Sequence, residues 1–560
     1  MHNLDWFVLI FTLIIIVVYG TWKTRGAKTA NEYIKAGNEA KWWTIGLSVM
    51  ATQASAITFL STPGQAYNDG LGFVQFYFGL PIAIVLVCTI FIPVYHKLKV
   101  YTAYEFLESR FDLKTRSLTA LLFLIQRSLS ASITIFAPAI ILSTVLGWDL
   151  ITTNIIIGTL VIIYTVTGGT KAVNFTQKYQ MGIILIGLVI VLFTIFNLLP
   201  DDIDFNSAVK IASANSKMDV LNFSFDLDNR YTVWSGIIGG TFLMMSYFGT
   251  DQSQVQRYLS GKSLKEMQLG MIFNGIFKIP MQFFILFIGV MVFVFYQFNP
   301  SPLNFNPQGK IIISNTNYEN EYIQLEENLE NNFKEKTYIL NDVLSQDKMV
   351  VKGKIDKLNF EEKKIRDRAK LLIEKAAKEK NEKVETNDKD YVFINFILDN
   401  LPKGLIGLLL AVIISAAMSS TSSEINALAT TTSIDVLKRN FSYVDDNNIV
   451  YFTKLMTLFW GMCAIGIACV AYLADNLIQL VNIIGSIFYG NVLGIFLIAF
   501  FIKTLKSNAV FAGAIITQAV IIIAWFYDWM PFLWLNVFGC GLVIMISFLI
   551  HLFFKIFRVS

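Results

Sequence analysis

The sequence has few of the residues that build catalytic and metal centres. Its 560 residues include four cysteines and three histidines. The cysteines lie inside apolar stretches without the spacing of a metal or redox motif, and the histidines lie at the edges of apolar runs. These residues are Cys88, Cys463, Cys469, Cys540, His2, His96 and His551. We therefore expect the chain to be neither an enzyme nor the carrier of a cofactor.

Charged residues are also scarce. They make up 15% of the chain, against about 25% in a typical soluble domain. The net charge of +4 gives no basis for binding nucleic acid. The chain is instead 54% hydrophobic, and its mean hydropathy is +0.55. This composition predicts an all-α polytopic membrane protein whose immediate partner is the lipid bilayer.

Apolar runs of about 20 residues are long enough to cross a bilayer as helices. Thirteen such runs are centred near residues 14, 53, 84, 132, 158, 189, 244, 285, 412, 461, 489, 517 and 543. The first run begins at Asp5, lacks a small-residue cleavage site and is followed by Lys23 and Arg25. We therefore expect a retained anchor helix rather than a cleaved signal peptide.

Basic residues are distributed unevenly between the loops on the two sides of the membrane. Short loops on one side hold 21 lysine and arginine residues, and those on the other side hold 3. Since cytoplasmic loops carry the excess of basic residues, the N-terminus is predicted to lie outside and the C-terminus in the cytoplasm. Thirteen crossings of the cell (inner) membrane require the same arrangement.

Segment 299–391 differs from the rest of the chain in composition. It carries 17 basic and 18 acidic residues in 93 positions. Long translocated loops are exempt from the charge bias, so this segment is predicted to lie outside the membrane as charged, partly amphipathic helices. It separates 1–298 from 392–560. The segment is interpreted as an accessory insertion. One alternative is a docking surface for a partner protein, and another is that the whole chain is a membrane sensor that signals through this segment.

Polar residues interrupt two of the apolar runs. The stretch at 51–59 reads ATQASAITF and is followed by Pro63 and Gly64. Its composition favours either a locally unwound helix that presents carbonyl oxygens to an ion, or ordinary close packing of helices. The stretch at 415–423 reads SAAMSSTSS, with serines along one helical face. Its neutral oxygens suit a hard monovalent cation, and interhelical hydrogen bonding is the alternative.

Two lone basic residues, Arg127 and Lys278, lie within apolar runs. Charges inside a membrane usually mark a pathway or a paired contact. Either residue could bind an anionic or hydroxyl-rich solute. Either could instead extend towards the membrane surface or pair with a carboxylate elsewhere in the chain.

Five stretches occur along the chain in an order that is typical of one transporter family. They are 51–67, YEFLESRF at 104–111, GGTKAV at 168–173, GTDQSQVQRYL at 249–259, and the serine-rich stretch at 415–423. In these stretches the chain resembles the sodium:solute symporter family, which includes sodium–glucose, proline, iodide, monocarboxylate and sialic-acid transporters. The similarity covers nearly the whole chain except 299–391.

The resemblance implies the fold of the bacterial leucine transporter, with two inverted five-helix repeats at roughly helices 2–6 and 7–11. It also implies symport, in which Na⁺ drives the uptake of a small organic solute by alternating access. The sodium site would lie between the broken first core helix and the serine-rich helix. Its carbonyl and hydroxyl ligands would come from Ala51, Ala54, Ala416, Ser419 and Ser420.

The resemblance also implies a set of substrate-binding positions. Carried over to this sequence, they are Gln53, Ser55, Thr58, Gln75, Arg127 and Lys278. These side chains suit a sugar or an acidic sugar, which we expect first. Monocarboxylates, vitamins and amino acids are the alternatives.

One position departs from the family pattern. Many members carry an aspartate after the Gly-Gly motif, which completes a second sodium site with two later serines. Ser422 and Ser423 are present here, but Gln177 takes the place of the carboxylate. A neutral amide does not offset the charge of a second cation, so this site is predicted to be degenerate, with one sodium ion per cycle.

Overall fold

The computed structural model describes residues 2–24, 29–343, 348–382, 384, 386–470 and 477–556. This part of the chain is helical and contains no β-strand, and a single isolated bridge pairs Ala40 with Gly261. The helices of the first half are α1 (Asn3–Thr24), α2 (Ala30–Lys35), α3 (Trp42–Gln53), α4 (Ala56–Asp69), α5 (Leu80–Leu86), α6 (Ile92–Leu98), α7 (Glu105–Arg110), α8 (Leu113–Leu146), α9 (Leu150–Leu198), α10 (Phe205–Ala214), α11 (Gly240–Gly249), α12 (Gln252–Leu259) and α13 (Leu264–Phe298).

The second half continues the same pattern. Its helices are α14 (Pro307–Ile313), α15 (Glu319–Val343), α16 (Lys348–Glu379), α17 (Lys389–Asn400), α18 (Leu405–Thr431), α19 (Lys438–Asn440), α20 (Ile449–Val470), α21 (Leu477–Phe501), α22 (Ser507–Phe526) and α23 (Phe532–Ile556). Short turns of 3₁₀ or π helix join some of these elements at Ala36–Asn38, Gly70–Tyr77, Val87–Phe91, Ser235–Gly239 and Thr432–Leu437.

Ten helical segments within the described ranges are long and apolar enough to span a membrane. The count of thirteen therefore stays a prediction. The first of the remaining three predicted spans corresponds to α1, which runs from Asn3 to Thr24. The other two are interrupted or shortened. The second is divided between α3 and α4, and the seventh comprises only the π turn at Ser235–Gly239 and α11.

The first core helix is broken in the middle of its apolar run. Helix α3 ends at Gln53, and α4 begins at Ala56. Between them Ala54 has φ −85° and ψ 64°, and Ser55 is extended with φ −76° and ψ 174°. A helix end leaves its last carbonyl groups without partners in the helix. The break therefore places polar backbone groups inside the bundle.

A second break lies between α11 and α12, in the seventh predicted span. Thr250 leaves helical geometry with φ −127° and ψ −20°, and Asp251 caps α12 by accepting a hydrogen bond from the Ser253 amide at 2.9 Å. Both breaks thus occur in the helix that opens one of the two predicted repeats.

Close contacts at glycine hold the helices around the first break. Helix α13 packs against both α3 and α4, and α18 packs against α8 and α9. A Cβ atom placed on Gly289 of α13 would lie 2.2 Å from the carbonyl oxygen of Pro63 in α4. Only a residue without a side chain permits this approach.

The charged segment forms a helical unit with an apolar core of its own. Buried side chains of this core include Leu303, Ile312, Tyr322, Leu372 and Ile373. Helices α15 and α16 pack against each other.

Polar contacts attach this unit to the C-terminal ends of α10 and α13. Asn359 of α16 donates to Asn215 Oδ1 at 2.9 Å, and Thr337 of α15 donates to the carbonyl of Gln297 at 3.0 Å.

Candidate functional site

The break between α3 and α4 borders a cavity of about 100 Å³ within the helix bundle. Helices α8, α11, α13, α18 and α21 contribute the other walls. Five of the six predicted substrate residues line this cavity. They are Gln53, Ser55, Thr58, Arg127 and Lys278.

The residues at the break hold each other in place. Thr58 Oγ1 donates to the carbonyl of Gln53 at 3.0 Å, across the non-helical segment. Gln53 Nε2 donates to Asn274 Oδ1 of α13 at 3.1 Å. These bonds satisfy polar groups that the break exposes, and they fix the side chain of Gln53 at the cavity wall.

Gln75 lies away from the cavity. Its Nε2 donates to the carbonyls of Gly72 and Tyr231 at 3.1 Å each, and its Oε1 accepts from the Asn222 amide at 2.9 Å. The side chain therefore secures the loop around 222–231.

The two predicted halves of the sodium site meet where α3 passes α18. Ser420 Oγ lies 3.4 Å from the carbonyl oxygen of Ala51, in the last turn of α3. Ser419 Oγ is buried and has no hydrogen-bond partner among the described residues. Ala54, in the break, and Ala416, one turn before Ser420, are both buried. Carbonyl oxygens at a helix C-terminus and neutral hydroxyls are suitable ligands for a hard cation.

Gln177 of α9 is the centre of a separate polar cluster. Its Nε2 donates to Thr52 Oγ1 and to Ser423 Oγ, at 3.2 Å in both cases. Its Oε1 accepts a hydrogen bond from Ser48 Oγ at 2.5 Å. The amide thus links α9 with α3 and α18 and uses both of its N–H groups to do so.

The hydroxyl groups of Thr52, Ser422 and Ser423 donate to backbone carbonyl groups of their own helices. Thr52 Oγ1 donates to the carbonyl of Ser48 at 2.9 Å, one turn earlier in α3. Ser423 and Ser422 both donate to the carbonyl of Ser419 at 3.0 Å. The oxygens of Thr52 and Ser423 are therefore free to accept from Gln177.

Arg127 lies in the cavity wall but is paired with two carboxylates. Its guanidinium contacts Asp251, donates to Glu424 Oε1 at 2.9 Å and donates to Tyr489 Oη at 2.7 Å. Tyr489 in turn donates to Asp251 Oδ2 at 2.9 Å. The guanidinium thus joins α8 to α18, α21 and the break before α12.

Lys278 has no such partner among the described residues. Its side chain is 2% exposed, and no ion pair or hydrogen bond of the ammonium group is recorded in the described part of the chain. The Tyr77 ring lies 5.7 Å from its Nζ, at the outer limit of a cation–π contact. Lys278 also lines the cavity.

Sequence analysis missed three residues of this site: Asp251, Glu424 and Tyr489. Asp251 belongs to the 249–259 stretch but was given no role. Glu424 directly follows the serine-rich stretch, and a carboxylate within an apolar run is a signal that could have found it. Nothing in the local sequence of Tyr489 distinguishes it from an aromatic residue that packs in the core.

The chain matches the model of the sodium:solute symporter family over residues 33–336 and 376–517. The human sodium/iodide cotransporter is 25% identical over 515 residues, which cover 91% of this chain and 67% of that protein. The human sodium-coupled monocarboxylate transporter 1 is 26% identical over 498 residues, which cover 89% of this chain and 68% of that protein.

A solved structure of a Na⁺-coupled sialic acid symporter, in a substrate-bound outward-open state, is similar over nearly the whole chain. Its TM-score is 0.74 at 23% sequence identity, and the match covers 98% of each chain. This similarity confirms the predicted fold of the bacterial leucine-transporter type.

Proposed function

The chain belongs to the sodium:solute symporter family, and we propose that it couples one sodium ion to the uptake of a small solute that carries a single carboxylate. It is a multi-pass membrane transporter and not an enzyme. A monocarboxylate and an acidic sugar both fall within the proposed class of substrate.

The unpaired ammonium group of Lys278 is the observation that carries the proposal. An isolated charge is costly inside a membrane protein unless an opposite charge or hydrogen bonds offset it. A carboxylate bound in the cavity would supply that opposite charge. Gln53 and Thr58, on the same cavity wall, offer polar groups for the rest of the solute.

The balance of charges around the cavity also favours an anion. Counted over the whole site, Arg127, Asp251 and Glu424 together carry one net negative charge and Lys278 carries one positive charge, although no carboxylate among the described residues contacts Lys278. One sodium ion and one carboxylate then keep the loaded site neutral. A neutral sugar would leave one uncompensated positive charge in a region of low dielectric constant.

The relatives are consistent with an anionic solute. The two human proteins compared above are named for iodide and for monocarboxylates. Arg127, by contrast, is already neutralised by two carboxylates, which leaves Lys278 as the proposed anchor.

The single sodium ion is proposed to bind between α3 and α18. Its ligands would be the carbonyls of Ala51, Ala54 and Ala416 and the hydroxyls of Ser419 and Ser420. At the degenerate second site, the amide of Gln177 donates to the hydroxyl oxygens that would otherwise face a cation. The N–H groups thus take the place of the second ion.

Coupling follows from the position of the break. Ala51 and Ala54, on the sodium side, are within a few residues of Gln53, Ser55 and Thr58 on the substrate side. Sodium would order the non-helical segment in the geometry that binds the solute. The transporter alternates between an outward-open and an inward-open state. Sodium and solute each shift the equilibrium towards the state that binds them more tightly.

Solute binding to the purified full-length protein tests the proposal. Melting temperature is measured with monocarboxylates, acidic sugars, neutral sugars and amino acids, each in sodium and in potassium. A ligand that binds only the folded state raises the melting temperature. We expect a shift from a carboxylate-bearing solute in sodium only, and its loss in Lys278→Met.

Lys265→Met is the matched control, because this lysine lies on the same helix, is exposed and does not line the cavity. It should retain the shift. A neutral sugar that stabilises the protein equally well in Lys278→Met would contradict the proposed substrate class. A shift of equal size in potassium would contradict the sodium coupling.

A further inference from the structure

A second cavity, of about 340 Å³, lies at the membrane face that carries most of the basic residues and is predicted to be cytoplasmic. Its walls come from α2 and the turn at Ala36–Asn38, from the end of α6, and from the loop between α12 and α13. Its volume is within the range of small-ligand sites in proteins. It is separate from the cavity at the break.

The lining of this cavity is strongly basic. Lys35, Lys99, Lys262 and His96 contribute to it, and the described lining residues include no aspartate or glutamate. No ion pair of these three lysines is recorded in the ranges that the structure describes. Lys35 is buried, whereas Lys99, Lys262 and His96 are exposed around it. The cavity therefore combines a buried cation with an exposed basic rim.

The ammonium group of Lys35 contacts a carbonyl oxygen and an aromatic ring. Its Nζ donates to the carbonyl of Lys99 at 2.8 Å and lies 4.2 Å from the centre of the Tyr101 ring. Burial lowers the pKa of Lys35 to about 8, although the charge of Glu105 acts in the opposite direction. Glu105 Oε1 is itself engaged by the amides of Tyr101 and Thr102, at 2.7 and 2.9 Å.

Hydrogen bonds to backbone carbonyl groups tie the walls of the cavity together. Asn38 Nδ2 donates to the carbonyl of Leu259 at 3.0 Å, and the Lys262 amide donates to the carbonyl of Ala40 at 3.1 Å. Asn38 and Lys99 both adopt left-handed backbone conformations, with φ of 55° and 54°. These contacts hold together the segments that carry the basic residues.

We propose that this cavity binds a phosphate-bearing anion, either the headgroup of an anionic phospholipid or a free phosphate compound. Lysine ammonium groups recognise phosphate as point charges and donate hydrogen bonds to its oxygens. Basic pockets at the cytoplasmic ends of membrane helices also suit anionic headgroups. The ligand would contact both the segment before α3 and the loop before α13, and would thereby stabilise the contact between them.

The two sources of phosphate are separated by the medium in which the full-length protein is studied. In phosphatidylcholine nanodiscs, melting temperature is measured while inorganic pyrophosphate is added at constant ionic strength. In a second series, phosphatidylglycerol replaces part of the phosphatidylcholine and no pyrophosphate is present. A rise in melting temperature in the first series identifies a free phosphate compound, and a rise in the second identifies the lipid.

Variants at the exposed rim test the site itself. In the double variant Lys99→Gln/Lys262→Gln we expect the apparent affinity to fall roughly tenfold or more, since each surface lysine contributes several-fold to binding such anions. Lys97→Gln is the matched control, because Lys97 is exposed and adjacent to His96 but does not line the cavity. Its affinity should be unchanged.

Lys35→Met removes the buried charge and should abolish the shift in a protein that still melts cooperatively. If this variant does not fold, the rim variants remain decisive. Absence of any shift in both series would overturn the proposal. An equal loss of affinity in Lys97→Gln would also overturn it, because it would indicate a diffuse charge effect.

Discussion

Gln177 is proposed to take the place of a second sodium ion. Its amide donates to Thr52 and Ser423 and accepts from Ser48, so three helices meet at a neutral group. A carboxylate at the same position would have no N–H group to donate to these hydroxyls. It would require a cation to stabilise its charge in this buried place.

We therefore expect Gln177→Asp to create a requirement for a second sodium ion. Uptake should depend on sodium concentration with a Hill coefficient that rises from about one towards two. The ratio of sodium to solute taken up by proteoliposomes, measured with radiolabelled ions, should rise with it. Gln177→Ala is the control, because it removes the amide without adding a charge.

In Gln177→Ala the sodium-to-solute ratio should stay at its original value. The loss of three buried hydrogen bonds should lower the free energy of unfolding by about 1–3 kcal/mol. A ratio of two in the unchanged protein would contradict the proposed stoichiometry.

Ser420 provides a second test at the scale of one residue. Ser420→Ala removes the hydroxyl that contacts the carbonyl of Ala51, and it should raise the sodium concentration for half-maximal uptake roughly tenfold, by the loss of one ligand. Ser422→Ala is the matched control, because that hydroxyl donates to a carbonyl of its own helix. Equal effects in the two variants would contradict the assignment of Ser420 to the sodium site.

Among the helices, the contact of α13 with α4 is set by Gly289. A methyl group at this position would lie 2.2 Å from the Pro63 carbonyl. We expect Gly289→Ala to separate the two helices and lower the free energy of unfolding by about 1–3 kcal/mol. A lower melting temperature should accompany reduced uptake, because α4 carries one side of the cavity.

Gly541→Ala is the matched control for this contact. No atom lies within 4 Å of the corresponding methyl position in α23. Melting temperature should be unchanged or slightly higher in this variant, since alanine favours a helix more than glycine does. A similar loss of stability in both variants would exclude the close contact as the cause.

The accessory helices contain a charge cluster that predicts their response to acid. Glu362 of α16 accepts from Lys336 Nζ at 3.2 Å and from Arg366 Nε at 3.0 Å. Burial alone would raise the pKa of Glu362, but these two cations lower it from 4.5 to about 2. A lowered pKa stabilises the fold above the unfolded value, and this stabilisation is lost as pH falls from about 4.5 to about 2.

Pepsin cleavage of 319–379 in the full-length protein measures this effect. Cleavage should increase steeply as pH falls across that range. Glu362→Gln should lose roughly 1–3 kcal/mol of local stability at neutral pH and lack the acid-dependent step. Glu379→Gln, which removes an exposed carboxylate of the same helix, should retain the step. If the unchanged protein showed no acid-dependent step in cleavage, the role of Glu362 would be contradicted.

For the whole molecule, the proposed stoichiometry determines how the membrane potential acts. One sodium ion and one carboxylate together move no net charge. A tenfold sodium gradient, worth about 1.4 kcal/mol, would then support roughly tenfold accumulation of solute. For a neutral solute, 100 mV would add about 2.3 kcal/mol and raise that limit to the order of 500-fold.

Uptake into proteoliposomes under a potassium diffusion potential distinguishes the two cases. We expect the accumulation ratio at steady state to be independent of the potential set with valinomycin. Accumulation that increases with an inside-negative potential would indicate either a neutral solute or a second sodium ion. Gln177→Asp should show that dependence and serves as the positive control.

The sequence by itself determined the membrane class, the family fold and the positions of the polar interruptions. These properties follow from local composition, since a bilayer requires long apolar helices and makes polar residues within them conspicuous. The polar composition of 51–59 also made a break at Ala54–Ser55 one of the two structures expected there, with close packing of helices as the other. The number of spans was harder to predict, because the second and the seventh predicted spans are interrupted by breaks in the helix.

Only the tertiary structure decided which polar groups are already paired. Arg127 and Lys278 look alike in the sequence, as single cations in apolar runs. The fold brings Asp251 and Glu424, distant along the chain, to Arg127 and leaves Lys278 without a recorded counter-ion in the described structure. It likewise engages Gln75 with the loop around 222–231 and Gln177 with a hydrogen-bond cluster between three helices. Pairing of this kind depends on which helices meet, and local sequence does not contain that information.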